Sequence, residues 1–465
     1  MSQSDAISPD TSFNSRITML IQELAEYGAQ ESAKRKLTPE VSHHTKRAVL
    51  DWLAALYPGT LMCPGTELVK AHEDETGVGH ARLPGFGKTT FAATAAWING
   101  SVSHTVEFDD IFRDAVYHPG CPVIAAALAA ADTLDSNGLD LMVAIVVGYE
   151  ISTRLGAAIQ PAHYRYFHTT GTVGSIGAAA AAAALYAPSN AVVMQHAIAT
   201  AATFASGLQQ AFRSDAMTKA LHAGHAAAVG IRAATAAAAG VTGVADILEG
   251  EAGFAAALGG QLDLAVVTAG LGTQYNITRI TQKNHGCCGH TFPSIDAALA
   301  LQQQHGFKVD DIKAIRVSTY KTAIDVTGNA DPRTAFEGKF SLRYVVAHAL
   351  CHGSVRLNAF GPDRLGDPAI RKLMEKITLV QDDELTAAFP RHRSSRVEIE
   401  LNNGDRHEHY AQDRKGDPEC PLSDQELEDK YDELVVPVRG QEQAQALKAQ
   451  IWDLEKQQVR QLALD

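Results

Sequence analysis

Between residues 171 and 240 the chain carries 27 alanines in 70 positions. Ala is the best helix former and adds almost no bulk, so such a stretch favours helices that approach one another closely. Gly and Ser punctuate it, as in GTVGSIGAAAAAAALY and HAGHAAAVGIRAATAAAAG, and Leu, Val, Ile and Phe are mixed in. That mixture argues against low-complexity disorder. The interruptions and the weak apolarity argue against membrane spans. The expectation is a tightly packed helical bundle.

The flanking sequence extends it. ITMLIQELAEYGAQ and VSHHTKRAVLDWLAALY place apolar residues at three- and four-residue spacing. Thr38-Pro39-Glu40 reads as a helix start, with Pro at the first helical position. After about residue 275 the character changes. DIKAIRVSTYKTAIDV contains a β-type alternating stretch, and SSRVEIELNNGDRHEHY reads as two strands joined by an Asn-Gly turn. Helical segments lie between them, FPSIDAALALQQQHG and FSLRYVVAHALCHG. The fold class expected is mainly α, a large all-helical domain with a second, smaller α+β domain. The boundaries read as a disordered tail over 1–14, a helical domain over 15–275 and an α+β domain over 276–405. Residues 406–465 form a C-terminal segment returning to the helical domain.

Charge narrows the function classes. Forty basic residues against 53 acidic give a formal net of −13 with the 19 His neutral. A general nucleic-acid binder needs a surplus of Lys and Arg, and so does a basic membrane-surface protein. A small anionic substrate remains open, because a pocket can differ in sign from the whole surface. The six Cys include no CxxC pair and are too sparse for a disulfide scaffold. With the polar start MSQSDAISPDTSF, which is no signal peptide, the expectation is a reduced, cytoplasmic, soluble protein.

Four polar clusters stand out. In the first, His104-Thr-Val-Glu107-Phe-Asp109-Asp110 precedes Tyr117-His118-Pro119. Three carboxylates so close repel one another, and one with a raised pKa suits acid catalysis. A solvated helix terminus is the plain alternative. In the second, His168 stands before Thr-Thr-Gly171-Thr172, placed for a carboxylate bound at a helix N-terminus or else an incidental His in a capping turn. The third, Thr218-Lys219-Ala-Leu-His222, puts Lys219 and His222 on one face of a helix, suited to a carboxylate or to a surface salt-bridging turn. The fourth is Lys283-Asn-His285-Gly-Cys287-Cys288-Gly-His290. Adjacent Cys residues fit the usual zinc-ligand gap poorly, so no metal is expected. A reactive thiol or a buried structural Cys pair remains.

Read in order, NGSVSHTVEFDD, HPG, FHTTGTVGSIGAAAAAA, MTKALHAGHAA, LEGEAGF, KNHGCCGHTFPSIDAALAL and DPRTAFEGKFSLRYVVAHALCHG resemble the MmgE/PrpD family. That family includes 2-methylcitrate dehydratase, cis-aconitate decarboxylase and iminodisuccinate epimerase. The resemblance implies a cofactor-independent homodimer with a large helical and a smaller α+β domain. It implies catalytic roles for Glu107, His118, His168 and Cys288, and His290 joins them as a candidate second base from the fourth cluster. Substrate binding falls to Lys219, Lys283 and Tyr344, with His222 added from the helix face it shares with Lys219. Departures are Ala220 for the family's Pro, Glu107 for an Asp, and Cys288 where the decarboxylase has His; the Cys-Cys pair is more similar to the epimerase branch.

The family's reactions share one problem: charge builds on a carboxylate as a bond to the neighbouring carbon breaks. Without a metal or electron sink, fixed cations must stabilise it. Lys219 and Lys283 are expected to do so with His168 assisting, while His118 moves the proton and Glu107 orients it or protonates a departing hydroxyl. The leading expectation is a lyase that dehydrates a small di- or tricarboxylate. Alternatives are an epimerase with Cys288 or His290 as second base, a cis-aconitate-type decarboxylase, and a non-enzymatic scaffold lacking the cations.

Overall fold

The Ala-rich stretch forms three helices, Thr169–Tyr186, Ala191–Thr203 and Thr218–Ala238, in the computed structural model, which describes residues 19–212, 216–389 and 391–465. The tail expected over 1–14 lies outside the described residues. All of Thr169–Leu185 is buried, so this helix runs through the middle of the bundle. Small side chains are what allow it. A Cβ on Gly230 would lie 2.4 Å from the Ala178 Cβ, and one on Gly224 would lie 2.1 Å from the Trp97 carbonyl oxygen of the helix Ala92–Thr105. Both contacts are too close for any side chain. Thr38 caps the helix Pro39–Gly59 as its sequence predicts, its hydroxyl accepting from Val41 N at 3.2 Å.

The helix Gly138–Ala158 alone among the described residues has the length and apolarity of a membrane span, and 94% of that window is buried in the protein. Its polar residues are satisfied internally. Glu150 pairs with Arg154 at 3.3 Å, and Arg154 donates to the Gln274 carbonyl at 2.7 Å.

A second apolar core gathers around residues 287–401. Its sheet has strands β3 (Ile312–Thr319), β4 (Ile377–Gln381), β5 (Ser395–Leu401) and β6 (Arg406–Ala411) in the order β4-β3-β5-β6; β1 (Ala81–Leu83) and β2 (Lys88–Thr90) form a separate hairpin in the helical part. β4 runs parallel to β3, and the other pairs are antiparallel. β5 alternates strictly, with Val397 and Ile399 buried, while β6 alternates exposed and half-buried positions. The sheet therefore runs to Ala411, beyond the expected break at 405, because the NNGD turn closes a hairpin that a boundary there would cut. The last two long helices, Asp424–Arg439 and Gln441–Trp452, pack Leu427, Tyr431, Val435, Leu447 and Ile451 into the helical core. The fold is thus mainly α with a smaller α+β part.

Two short pairings position the site. An isolated bridge joins Ile111 to Thr281, drawing the loop after Ala92–Thr105 against the segment that carries Lys283. Another joins Phe167 to Leu208, setting His168 over the start of Thr218–Ala238.

Candidate active site

Polar groups of the first, second and third clusters converge because three helix ends meet. Ala92–Thr105 carries His104 in its last turn, Gly120–Leu134 begins just after His118, and His168 is the N-cap of Thr169–Tyr186. The cleft they border has a volume of about 630 Å³. Segments 283–290 and 336–340, with Arg393 and Arg414, close its other side.

Asp109 is the hub. Its Oδ2 lies 2.7 Å from His104 Nδ1 and 2.9 Å from His118 Nδ1, and it accepts from Cys121 Sγ at 3.2 Å. Burial works to raise this carboxyl, but His104, His118 and Lys283 outweigh it and hold Asp109 well below the usual carboxylate range. Burial pushes the His118 imidazole down to about 4 in spite of Asp109. His118 is therefore neutral at pH 7 with a fixed negative charge behind it. His104 and His168 stack at 5.5 Å between centroids. His168 Nδ1 is 3.0 Å from His222 Nδ1, and burial and neighbouring cations hold both rings neutral.

Glu107 occupies the middle of a lysine cluster. Lys219 Nζ donates to Glu107 Oε1, and Lys283 Nζ lies 3.8 Å from Oε2 while donating to the Glu107 carbonyl at 2.8 Å. Lys339 Nζ donates to the Val106 carbonyl at 3.2 Å. Burial favours the neutral acid, but Lys219 and Lys283 overcome it and hold Glu107 ionised. Glu107 adopts φ 59, a left-handed conformation uncommon outside Gly.

Of the sequence-predicted residues, Glu107, His118, His168, Cys288, His290, Lys219 and Lys283 all border the cleft. Three expectations change. Tyr344 is fully buried in the second core, where its hydroxyl donates to the Ala359 carbonyl, because its place on the helix Leu342–His352 turns it inward. It does not border the cleft. His222 stands behind His168 rather than in the cleft, since it sits one helical turn beyond Lys219. Orientation of His118 falls to Asp109, because Glu107 is taken up by lysines and, being ionised, has no proton to give a hydroxyl.

The fourth cluster does not converge on one point. His285 bonds Asp296 at 2.8 Å, Cys287 bonds Thr291 at 3.2 Å, and His290 Nδ1 lies 2.6 Å from the Tyr320 hydroxyl. Burial pushes the Cys288 thiol up, and burial with Arg393 and Arg414 pulls His290 down to about 3. Beyond the residues singled out from sequence, His104, Lys339 and Arg393 line the cleft and Asp109 backs its histidines. His104 and Asp109 stood in the first cluster, and their five-residue spacing across a helix end was the available signal. Lys339 and Arg393 reach the cleft only through the tertiary fold.

The raised carboxyl expected in the first cluster is Asp110. Burial and nearby Asp51 push it up to about 8, while it bonds the Tyr149 hydroxyl at 2.8 Å and Gly120 N at 3.0 Å, away from the cleft. A folded pKa above the unfolded 3.8 means its stabilisation is complete below about pH 4 and is lost as pH rises through 8. His118 works in the other direction, losing stability as pH falls from 6.5 towards 4. Asp110→Asn is expected to flatten the decline of the urea midpoint between pH 5 and 8. Parallel declines in parent and variant would assign that loss elsewhere.

Two histidines sharing a buried carboxylate beside paired lysines are the fittings of an enzyme that moves protons next to charge. The chain belongs to the MmgE/PrpD family: the N-terminal domain of that family matches residues 22–266 and the C-terminal domain matches 285–456. Among its relatives is a cis-aconitate decarboxylase-like protein, oryM, of Aspergillus oryzae, 29% identical over 442 residues that cover 90% of each chain. The cis-aconitate decarboxylase of Aspergillus terreus is 24% identical, covering 82% of this chain and 86% of the other. The Homo sapiens enzyme is 26% identical, covering 85% and 83%. These relatives are lyase-type enzymes.

Proposed function

We propose that the protein is a cofactor-independent lyase that dehydrates a small hydroxylated di- or tricarboxylate. The observation that carries this reading is a neutral His118, backed by ionised Asp109, beside the lysines around Glu107. A neutral imidazole at pH 7 is set to take a proton rather than give one. A substrate carboxylate entering the cluster meets Lys219, Lys283 and Lys339 and competes with Glu107 for their charge. His118 Nε2 then removes the proton from the carbon beside that carboxylate. The resulting imidazolium is stabilised by Asp109, and the charge developing on the carboxylate by the lysines. The electron pair of the broken C–H bond forms the new C=C bond as hydroxide departs. The neutral thiol of Cys288 is one proton source at the cleft wall for that leaving group.

The names of the relatives favour a second reading, decarboxylation on the same site. A carbanion left by CO₂ needs a proton donor, and His118 in the free protein holds none at pH 7. Inversion at a carbon next to a carboxylate requires a second base. Cys288 is held protonated, and His290 Nδ1 is engaged by Tyr320.

Incubation with a panel of polycarboxylic acids in D₂O, followed by NMR, separates the three. New vinyl signals without CO₂ are expected. Vinyl signals with CO₂ mean decarboxylation, and deuterium uptake with inversion and no alkene means epimerisation. No change across the panel sinks the enzyme reading.

A further inference from the structure

Arg393 is a buried cation that nothing in the chemistry above uses. It is 9% exposed and borders the same cleft as the first cluster. Its Nε is buried without a hydrogen-bond partner, and no carboxylate lies within 4 Å of its guanidinium among the described residues. Asp417, an acid within electrostatic reach, is committed elsewhere: it binds Arg414 at 2.7 and 2.9 Å, Thr281 Oγ1 at 2.6 Å and Arg113 at 3.4 Å. The Arg393 guanidinium lies 5.9 Å from the Phe389 ring centre, an apolar neighbour that offers no counter-charge. Burial and Arg414 pull its pKa to about 10, which leaves it charged at neutral pH. Holding a cation in such a place costs folding free energy unless an anion joins it.

The segment 288–290 connects the two ends of the cleft. Cys288 lies within electrostatic reach of Lys283, Glu107 and Lys219, and His290 within reach of Arg393 and Arg414. Two residues of backbone span at most about 7 Å, the reach of a short dicarboxylate. Tyr164, also at the wall, lies within electrostatic reach of Cys288, Glu107 and Arg393.

We propose that Arg393 anchors a second carboxylate of the substrate, so that the cleft grips a polycarboxylate at both ends, the lysine cluster at one and the Arg393 guanidinium at the other. A guanidinium fork matches a carboxylate bidentately, which fixes the orientation of the acid as well as its charge. The end held by Arg393 is the spectator, and the end among the lysines lies beside His118. The anchor rests on the reading of the site as one for polycarboxylates.

Calorimetric titration tests it with succinate, tricarballylate and succinamate, in which a neutral amide replaces one carboxylate. The native protein is expected to bind succinate at least tenfold more tightly than succinamate. Arg393→Gln should weaken succinate and tricarballylate 10- to 100-fold and erase the preference over succinamate, with Arg393→Lys intermediate. Because the side chain is an uncompensated buried charge, R393Q should melt no lower than the parent. Unchanged affinity for both acids in R393Q overturns the anchor and leaves the polycarboxylate reading standing. Equal weakening of acid and amide, or a fall in melting temperature with the preference intact, overturns it in favour of a structural role. If the native protein binds neither acid, the polycarboxylate reading falls, and the anchor with it.

Discussion

Asp109→Asn is expected to lower kcat by about 10²–10⁴-fold, the range of a positioned acid or base, on whichever polycarboxylate the deuterium experiment identifies. The substitution keeps the shape and one acceptor oxygen, so His104 retains its hydrogen-bond partner and His118 a polar neighbour. What it removes is charge. Asp109 Oδ2 serves both histidines, and its Oδ1 lies 4.0 Å from Lys283 Nζ. Without that charge His118 becomes a weaker base, and the imidazolium formed in the reaction loses its counter-ion. An Asn amide in the Oδ1 position would also turn a donor towards Lys283. Asp109 is 1% exposed, so it does not meet the substrate, and KM should stay within about threefold. His118→Ala should reach a similar floor, and the double variant should be little worse than either single one, because the two residues act as a unit. A natively folded Asp109→Asn enzyme that keeps more than a third of the parent kcat would remove Asp109 from the mechanism.

The contrast between Glu107 and Asp109 shows what sequence alone can and cannot deliver. Both stand in one cluster, and the spacing says that carboxylates crowd there. Which one faces the lysines and which faces the histidines depends on the chain reversing at Glu107, with its φ of 59, and on a bridge to Thr281 far along the chain. Neither is a local property. The helical part was legible because alanine content and apolar periodicity act within a few residues of one another. The hairpin of β5 and β6 was legible for the same reason, through alternation and an Asn-Gly turn. β4 was not, since ITLVQ is short and earns its place only by parallel pairing with β3, across some sixty intervening residues. Tyr344 shows the limit of a motif. Its helix is capped by Ser341, whose hydroxyl accepts from Tyr344 N at 3.3 Å, and that start fixes a rotation sending the ring into the second core. Arg393 carries no local signal at all; its meaning lies in having lost water without gaining an acid.

Lys430→Met is expected to be the most destabilising single change away from the cleft. Lys430 and Asp51 are both 0% exposed and meet at 2.6 Å. Burial opposes the charge on each: it raises Asp51 and lowers Lys430, and each partner counteracts the effect on the other. Removing the cation leaves a buried carboxylate with nothing to balance it, and Asp51 Oδ2 already lacks a hydrogen-bond partner. Breaking such a pair typically costs about 3–5 kcal/mol. The loss should depend on pH. In the variant the folded Asp51 pKa rises further above its unfolded value, so the folded state favours the neutral acid, and stability falls as pH rises above about 4. The urea midpoint should therefore drop more at pH 8 than at pH 5. Asp51→Leu in the same chain should recover part of the loss, because replacing both partners by apolar groups removes the stranded charge. The consequence reaches the cleft. Lys430 also donates to the Phe108 carbonyl at 2.9 Å and sits 4.3 Å from the Phe108 ring centre, which fixes the residue between Glu107 and Asp109 from the C-terminal helix. Turnover in the stabilised double variant should stay below the parent, since its core is mended while the tether on that loop is not. A Lys430→Met protein as stable as the parent at pH 8 would mean that Asp51 is neutral in the native state and that the pair does not hold the loop by charge.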